Sequence, residues 1–263
     1  MQNFLDVFQS ISLHAGKEIM DIYQTAFEAQ EKADGSAVTE ADVAGEKIIC
    51  QGLQDHFPDI PILAEEAAAN GQIPELGDQF FLVDPLDGTR EFVNRTGEFT
   101  VNIALIENGH PVAGIVLAPA SYKVWWGAKG VGAYCQEVAK DHQSVIGEPT
   151  RLSTRPRPEK DLIAVASRSH RSPETEDFLN RLGATDFRPA GSSLKFCLVA
   201  EGHADVYPRL GRTMEWDTGA GQAVLEAAGG HVHMLAGFEE EGPLLYGKKE
   251  RGYDNPHFIA WGG

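Results

Sequence analysis

Two short apolar runs in the first third of the chain end abruptly at carboxylates. Pro61-Ile62-Leu63-Ala64 is followed by Glu65-Glu66, and Phe80-Phe81-Leu82-Val83 is followed by Asp84. Short apolar runs with abrupt polar ends are typical of buried strands. We therefore expect a sheet between covering elements, with acidic side chains gathered where its strands end.

Two segments with the apolar spacing of helices precede these runs. Apolar residues recur every three, four or seven positions from Phe4 to Tyr23 and again within Thr39 to Phe57, which predicts two helices. Thr100 to Tyr134 has apolar runs separated by turn signals and predicts an antiparallel meander. A strand is predicted at residues 162–166, followed by helices at 173–182 and 192–200, a strand at 204–207 and a helix at 218–228. The fold class is a mixed α/β (α+β) protein with sheets sandwiched between helices.

The 263 residues allow one large or two small compact units. Lys140 to Lys160 is rich in proline and charge and is the best linker candidate. We predict an N-terminal α/β half, residues 1–150, that carries most of the acidic motifs, and a C-terminal α/β half, residues 151–263.

Charge excludes one class of partner. The 22 Lys and Arg against 39 Asp and Glu give a formal net charge of −17, which argues against binding a nucleic-acid polymer. No long apolar segment and no signal-peptide pattern occurs, so the prediction is a cytoplasmic protein. A weak peripheral contact with the inner face of the cell membrane is left open. The three cysteines form no metal or disulfide pattern and are interpreted as buried thiols.

The strongest local motif is Asp84-Pro85-Leu86-Asp87-Gly88-Thr89. Two carboxylates held in a bend at the end of a buried strand suit hard cations such as Mg2+. Gly88 allows close approach of a phosphate, and the following amides open toward a short helix. An ordinary acidic turn is the alternative. The motif is similar to a DxDGT phosphatase signature, but Pro85 occupies the position of the nucleophile, so activated water is favoured over a phosphoaspartate.

Three other acidic positions have structural explanations when taken singly. Glu65 with Glu66 could be a solvated pair, and Asp42 and Asp217 could each cap a helix.

The combination of these motifs resembles the inositol monophosphatase superfamily of Mg-dependent, lithium-sensitive phosphatases. The segments that carry the resemblance lie in the same order as in that superfamily: Lys32 to Asp42, Ala64-Glu65-Glu66, Asp84 to Thr89, and Trp216-Asp217-Thr218-Gly219-Ala220-Gly221. The resemblance implies a layered α-β-α-β-α sandwich of the sugar-phosphatase kind.

The resemblance also implies roles for individual residues. Glu65, Asp84 and the Leu86 carbonyl would hold one Mg2+, and Asp84, Asp87 and Asp217 a second, with a third ion left open. Thr89, hydrogen-bonded to Asp42, would orient and deprotonate the attacking water, and Glu65 would count as catalytic as well. Substrate contacts are also implied for Glu65, Leu86, Asp87, Gly88, Thr89 and Asp217.

The second half resembles the 3'(2'),5'-bisphosphate nucleotidase branch of that superfamily. By position, His170 would contact the adenine, Ser192 the nucleotide, and Lys195 with Arg209 the 5'-phosphate. A loop histidine, a solvated lysine and a surface ion pair are the structural alternatives. The implied reaction is hydrolysis of the 3'-phosphate of adenosine 3',5'-bisphosphate and of its sulfated relative, with a link to sulfur assimilation. The enzyme would be a monomer or homodimer.

Two other functions remain open at this point: an inositol monophosphatase and a non-catalytic metal and nucleotide sensor. Outside these motifs, His231 and His233 flank Val232 in a predicted strand and would face the same side, a geometry compatible with metal although no third ligand is evident nearby. The run Glu239-Glu240-Glu241 is interpreted as a solvated loop.

Overall fold

We describe the fold from a computed structural model, which covers residues 1–31, 37–166 and 173–263. The elements of the first half are α1 (Gln2–Tyr23), β1 (Ala29–Glu31), β2 (Ala37–Thr39), α2 (Glu40–His56), β3 (Ile62–Ala64), α3 (Glu65–Ala69), β4 (Gln79–Asp87), α4 (Thr89–Val93), β5 (Thr100–Glu107), β6 (His110–Ala118), β7 (Lys123–Ala128), β8 (Gly132–Val138) and β9 (Val145–Arg151). Those of the second half are β10 (Leu162–Ala166), α5 (Pro173–Leu182), β11 (Ala184–Pro189), α6 (Leu194–Ala200), β12 (Val206–Arg209), α7 (Gly219–Ala227), β13 (His231–Ala236), β14 (Glu239–Pro243) and β15 (Phe258–Trp261).

The first half builds a seven-stranded sheet in sequential order from β3 to β9. Only its first pair is parallel, and each later neighbour runs antiparallel. Side chains alternate along β4, so that Phe81 and Val83 pack beneath α1 and α2 while Phe80 and Leu82 face the opposite side. The uninterrupted apolar run therefore reflects a strand that is buried on both faces.

The second half forms a six-stranded sheet in the order β11-β10-β12-β15-β13-β14. Helices α6 and α7 lie between the two sheets, and α5 covers the far face of the second sheet. Close approach of α7 to β6 requires Gly114, because a Cβ there would lie 2.7 Å from the carbonyl oxygen of Ala220. The five layers are helix, sheet, helix, sheet and helix, which confirms the predicted fold class.

Several local predictions are corrected. The segment Lys140 to Lys160 is not a plain linker, because it contains β9, which pairs with β8. Helix α6 begins at Leu194 rather than Ser192, whose φ of +49° lies in the left-handed region. The run Glu239-Glu240-Glu241 is not a loop but begins β14. Cys135 and Cys197 are buried as predicted, but Cys50 is only half-buried.

The division at residue 150 into two units stays a prediction, although the strands of the two sheets do separate along the chain in that way. Among the described residues, no helix combines the length and the apolar character needed to cross a lipid bilayer.

Candidate active site at the end of strand β4

The Asp84 side chain lies at the end of β4, on the face that looks toward α7. Alternation along the strand puts it on the same side as Leu82, and it is 1% exposed. The pairing of β4 with β5 shifts register between Asp84 and Asp87, so the chain bends away from the sheet there. The amide of Leu86 donates to Asp84 Oδ1 at 3.0 Å, which fixes the bend.

Gly88 connects this bend to α4. Its φ of +95° and ψ of +40° are left-handed, and a Cβ at this position would lie 2.9 Å from Ser192 Oγ and 3.1 Å from the Glu98 carbonyl oxygen. The Ser192 hydroxyl donates to the carbonyl oxygen of Asp87. The position therefore needs glycine, and the loop before α6 is held directly against the carboxylate motif.

Four carboxylates converge at this point. Burial raises the pKa of Asp84 well above its ordinary value, and the negative charges of Glu65, Asp87 and Asp217 raise it further. Burial likewise raises the pKa of Asp217, with Asp87 and Glu65 adding to the effect. The amide of Met214 donates to Asp217 Oδ2 at 2.8 Å and holds this carboxylate in place.

The donor set fits divalent hard cations. Ionised together, the four carboxylates repel one another, and the group becomes favourable when cations neutralise it. Every donor is oxygen, the ligand type that Mg2+ prefers. Glu65, Asp84, Asp87 and Asp217 are thus brought together as the sequence predicts, while their individual ligand roles stay predictions. The side chain of Leu86 is buried, and its carbonyl oxygen lies 3.3 Å from Thr89 Oγ1.

Asp42 and Thr89 form a hydrogen-bonded pair beside the cluster. The Thr89 hydroxyl lies 3.0 Å from Asp42 Oδ1, while Asp42 Oδ2 accepts from both the amide and the hydroxyl of Thr39, each at 2.7 Å. Asp42 is fully buried in the capping box that opens α2. The carboxylate predicted as a helix cap thus does both: it caps α2 and reaches Thr89.

Two polar residues at the site were missed in the sequence analysis. Glu46 accepts from the amides of Glu66 at 2.7 Å and Ala67 at 2.8 Å, and thereby fixes the start of α3, where Glu65 lies. The sequence signal that could have identified Glu46 is its position four residues after Asp42, which puts both side chains on one face of α2. The buried Ser193 hydroxyl lies 3.2 Å from Asp87 Oδ2 and 3.0 Å from the carbonyl oxygen of Asp217.

A polar cavity opens next to the carboxylates, and two cations line it. Lys195 Nζ donates to the Ser192 carbonyl at 2.6 Å, and Arg209 donates through Nη2 to the Arg212 carbonyl at 3.1 Å. The Nε of Arg209 is buried and has no hydrogen-bond partner among the described residues. Burial lowers the pKa of Lys195 to about 8, and the neighbouring charge of Arg209 contributes to that shift.

The cavity contains most of the residues predicted to contact substrate. Its lining includes Asp87, Gly88, Ser192, Lys195, Arg209 and Asp217. His170, the residue predicted to contact the adenine, lies outside the described residues. Two cations in one cavity, one of them with a buried donor that no described residue accepts from, are suited to a dianionic group such as a phosphate.

Comparison with known proteins supports the resemblance seen in the sequence. The sequence profile of the inositol monophosphatase family matches residues 1–257. The protein named 3'(2'),5'-bisphosphate nucleotidase CysQ of Escherichia coli O157:H7 is 42% identical over 256 residues, which cover 97% of this chain and 98% of that protein. Its namesake in Salmonella typhimurium strain LT2 is 44% identical over 229 residues, covering 86% of this chain and 89% of that protein.

A solved structure supports the same family relationship. The crystal structure of CysQ from Bacteroides thetaiotaomicron, described as a bacterial member of the inositol monophosphatase family, superimposes with a TM-score of 0.79 at 36% identity. The superposition covers 98% of this chain and 97% of that one.

Proposed function

The chain belongs to the inositol monophosphatase family, and from this premise we propose that it is a 3'(2'),5'-bisphosphate nucleotidase. It hydrolyses the 3'-phosphate of adenosine 3',5'-bisphosphate to AMP and inorganic phosphate. The observation that supports this substrate is a shared cavity: Asp87 and Asp217 of the carboxylate cluster line it together with Lys195 and Arg209, which provide a site for a second phosphate. The nucleotidases named CysQ, with 42% and 44% identity, support the same substrate.

We assign the cation ligands as Glu65, Asp84, the Leu86 carbonyl, Asp87 and Asp217. When bound there, Mg2+ supplies Lewis-acid polarisation of the phosphate and lowers the pKa of water. The all-oxygen donor set and the raised pKa of Asp84 and Asp217 support this assignment. A pair of ions with a possible third follows the family resemblance.

Thr89 and Asp42 orient the attacking water and take its proton. A threonine hydroxyl is a weak base on its own, so it needs a carboxylate to receive its proton. Asp42 accepts from Thr89 at 3.0 Å, and its other oxygen is already held by Thr39. As the water oxygen bonds to phosphorus, the bond from phosphorus to O3' breaks. The leaving O3' takes a proton from solvent water to become the 3'-hydroxyl of AMP, and Asp42 returns its proton to solvent.

We place the 5'-phosphate on Lys195 and Arg209, with Ser192 in contact with the nucleotide and His170 at the adenine. The sulfated relative carries the same 3'-phosphate and is a second substrate. A role in sulfur assimilation, sensitivity to Li+, a cytoplasmic location and a monomeric or homodimeric state stay predictions from the sequence.

A substrate panel tests the function. With Mg2+ present, kcat/KM for adenosine 3',5'-bisphosphate should exceed that for inositol 1-phosphate, which has no second phosphate, by at least about 100-fold, the scale of two charge-assisted hydrogen bonds. It should also exceed that for fructose 1,6-bisphosphate, which has a second phosphate but no adenosine. A preference for inositol 1-phosphate would identify an inositol monophosphatase instead. Tight nucleotide binding without phosphate release would identify a sensor.

Replacement of Thr89 tests the proton relay. Thr89→Ser keeps the hydroxyl and should retain kcat within about tenfold, whereas the isosteric Thr89→Val should lose about 10²- to 10⁴-fold, the range of general acid–base catalysis. KM should change little, because the hydroxyl acts on water. Steady-state kinetics of both variants measures the effect. Equal kcat values for Thr89→Ser and Thr89→Val would contradict the role of the Thr89 hydroxyl in proton transfer.

The pKa of Lys195 predicts a pH dependence. The amine is charged below pH 8 and neutral above it, because burial lowers its pKa to about 8. For the bisphosphate, kcat/KM should therefore fall about tenfold per pH unit above that value. In Lys195→Arg the guanidinium stays charged, so this decline should disappear. Adenosine 3'-phosphate, which has no 5'-phosphate, is the reference substrate; the same decline with it would contradict the role of Lys195.

A further inference from the structure

The hairpin of β13 and β14 brings together three side chains of metal-ligating types that do not belong to the carboxylate cluster. His231 and His233 alternate on β13 and share a face, with ring centroids 4.7 Å apart. The sequence analysis found no third ligand for this pair. Glu240 on β14 supplies one, since a ligand atom of each of the three side chains lies within 4.8 Å of the other two.

Glu240 is held in position from two sides. Its Oε2 lies 2.7 Å from His233 Nδ1, and its Oε1 accepts from the indole N–H of Trp261 at 2.9 Å. Trp261 is 2% exposed and lies opposite His231 in the pairing of β13 with β15. The guanidinium of Arg157 lies 3.7 Å above the indole ring. A buried partner that orients a ligating carboxylate is a regular feature of metal sites.

The three side chains are open to solvent on one side. The side chain of His233 is 32% exposed and that of Glu240 is 34% exposed, so an ion can enter and keep bound water. Two imidazoles and one carboxylate are a ligand set of Zn2+, in contrast to the all-oxygen set at the end of β4.

The hairpin site is separate from the candidate active site. Helix α7 starts two residues after Asp217, and Glu226 in its last turn is the residue of α7 that interacts electrostatically with His233. The nine residues of α7 span about 13 Å, which puts the two sites near opposite ends of this helix.

We infer that the β13–β14 hairpin binds one transition-metal dication of the zinc type through His231, His233 and Glu240, with water completing its coordination. The ion joins the edge strand β14 to β13 by two ligands from one strand and one from the other. This inference does not depend on the proposed nucleotidase activity.

Zinc binding by the full-length chain tests the inference. The probe is Zn2+ alone, added in the presence of excess Mg2+ to occupy the carboxylate cluster, with calorimetric titration and metal analysis after dialysis as readouts. The wild type should bind one more equivalent of zinc than His233→Gln or Glu240→Gln, or each of these variants should bind that ion at least tenfold more weakly. Zinc held by cysteines or by the carboxylate cluster is common to all the proteins and cancels in the comparison.

The matched control is His203→Gln. His203 is also a histidine beside a glutamate, with Nδ1 3.0 Å from Glu201 Oε2, but within the described part of the chain it belongs to no group of three ligands. This control should keep the wild-type stoichiometry and the zinc-dependent rise in Tm, both of which the hairpin variants lose. Identical zinc binding and identical Tm shifts in the wild type, His231→Gln, His233→Gln and Glu240→Gln would overturn the inference.

Discussion

Asp84→Asn should reduce phosphate release from adenosine 3',5'-bisphosphate by at least about 10³-fold, equivalent to about 4 kcal/mol of transition-state stabilisation. Asp84 is buried and lies within electrostatic range of Glu65, Asp87 and Asp217, so its charge is central to any cation bound there. The asparagine amide is nearly isosteric with the carboxylate but carries no charge. Phosphate release at saturating Mg2+ measures the effect.

Thermal unfolding separates this loss of chemistry from a loss of structure. Without Mg2+, Asp84→Asn should have a Tm equal to or above that of the wild type, because it removes a buried carboxylate from a group of like charges. Added Mg2+ should raise the Tm of the wild type and have little effect on the variant. An active Asp84→Asn enzyme, or one stabilised by Mg2+ as strongly as the wild type, would contradict the ligand assignment.

The double variant Lys195→Met with Arg209→Gln should lower kcat/KM for adenosine 3',5'-bisphosphate by about 10²- to 10⁴-fold. Each charge-assisted hydrogen bond to a phosphate contributes about 1.5–3 kcal/mol, and the variant removes both cations. Methionine fills the volume of the buried lysine stem, which limits damage to the fold. The comparison substrate is adenosine 3'-phosphate, whose kcat/KM should change by less than about tenfold because it has no 5'-phosphate.

Arg212→Gln is the matched control for the double variant. Arg212 neighbours Arg209 in sequence, but its side chain is 66% exposed and its guanidinium pairs with Asp254 at 2.9 Å. Its loss should leave turnover of both nucleotides near the wild-type value. If the double variant lost activity equally on both substrates, the cation pair would not be the site of the 5'-phosphate.

The carboxylate motif can be recognised in the sequence because its information is local. Asp84 and Asp87 lie in the last four residues of β4, and the next residue, Gly88, has the left-handed conformation that favours glycine. The contact between Asp42 and Thr89, 47 residues apart, came from the family resemblance rather than from spacing. A contact between residues so far apart in sequence is found only in the folded structure, where α2 packs against β4.

The errors fall where side chains carry little signal. β9 and β14 are exposed edge strands rich in glycine, proline and charge, and only their pairing with β8 and β13 makes them strands. The predicted start of α6 was wrong because Ser192 adopts a left-handed conformation, which is uncommon for serine and cannot be predicted from the residue type. Glu46 was missed because its partners are backbone amides, which every residue has.

The position of α7 between the two sheets has a consequence for biosynthesis. When a ribosome has produced the strands up to Arg151, the seven-stranded sheet is complete, but the face formed by Leu82, Val116 and Trp125 has nothing to cover it. At 5–20 residues per second, α7 follows about 4–15 s later. During that interval the nascent chain presents an apolar sheet face to which chaperones or other nascent chains can bind. Asp217 emerges just before α7, so the last of the four carboxylates joins the cluster at nearly the same time as the helix that covers this sheet face.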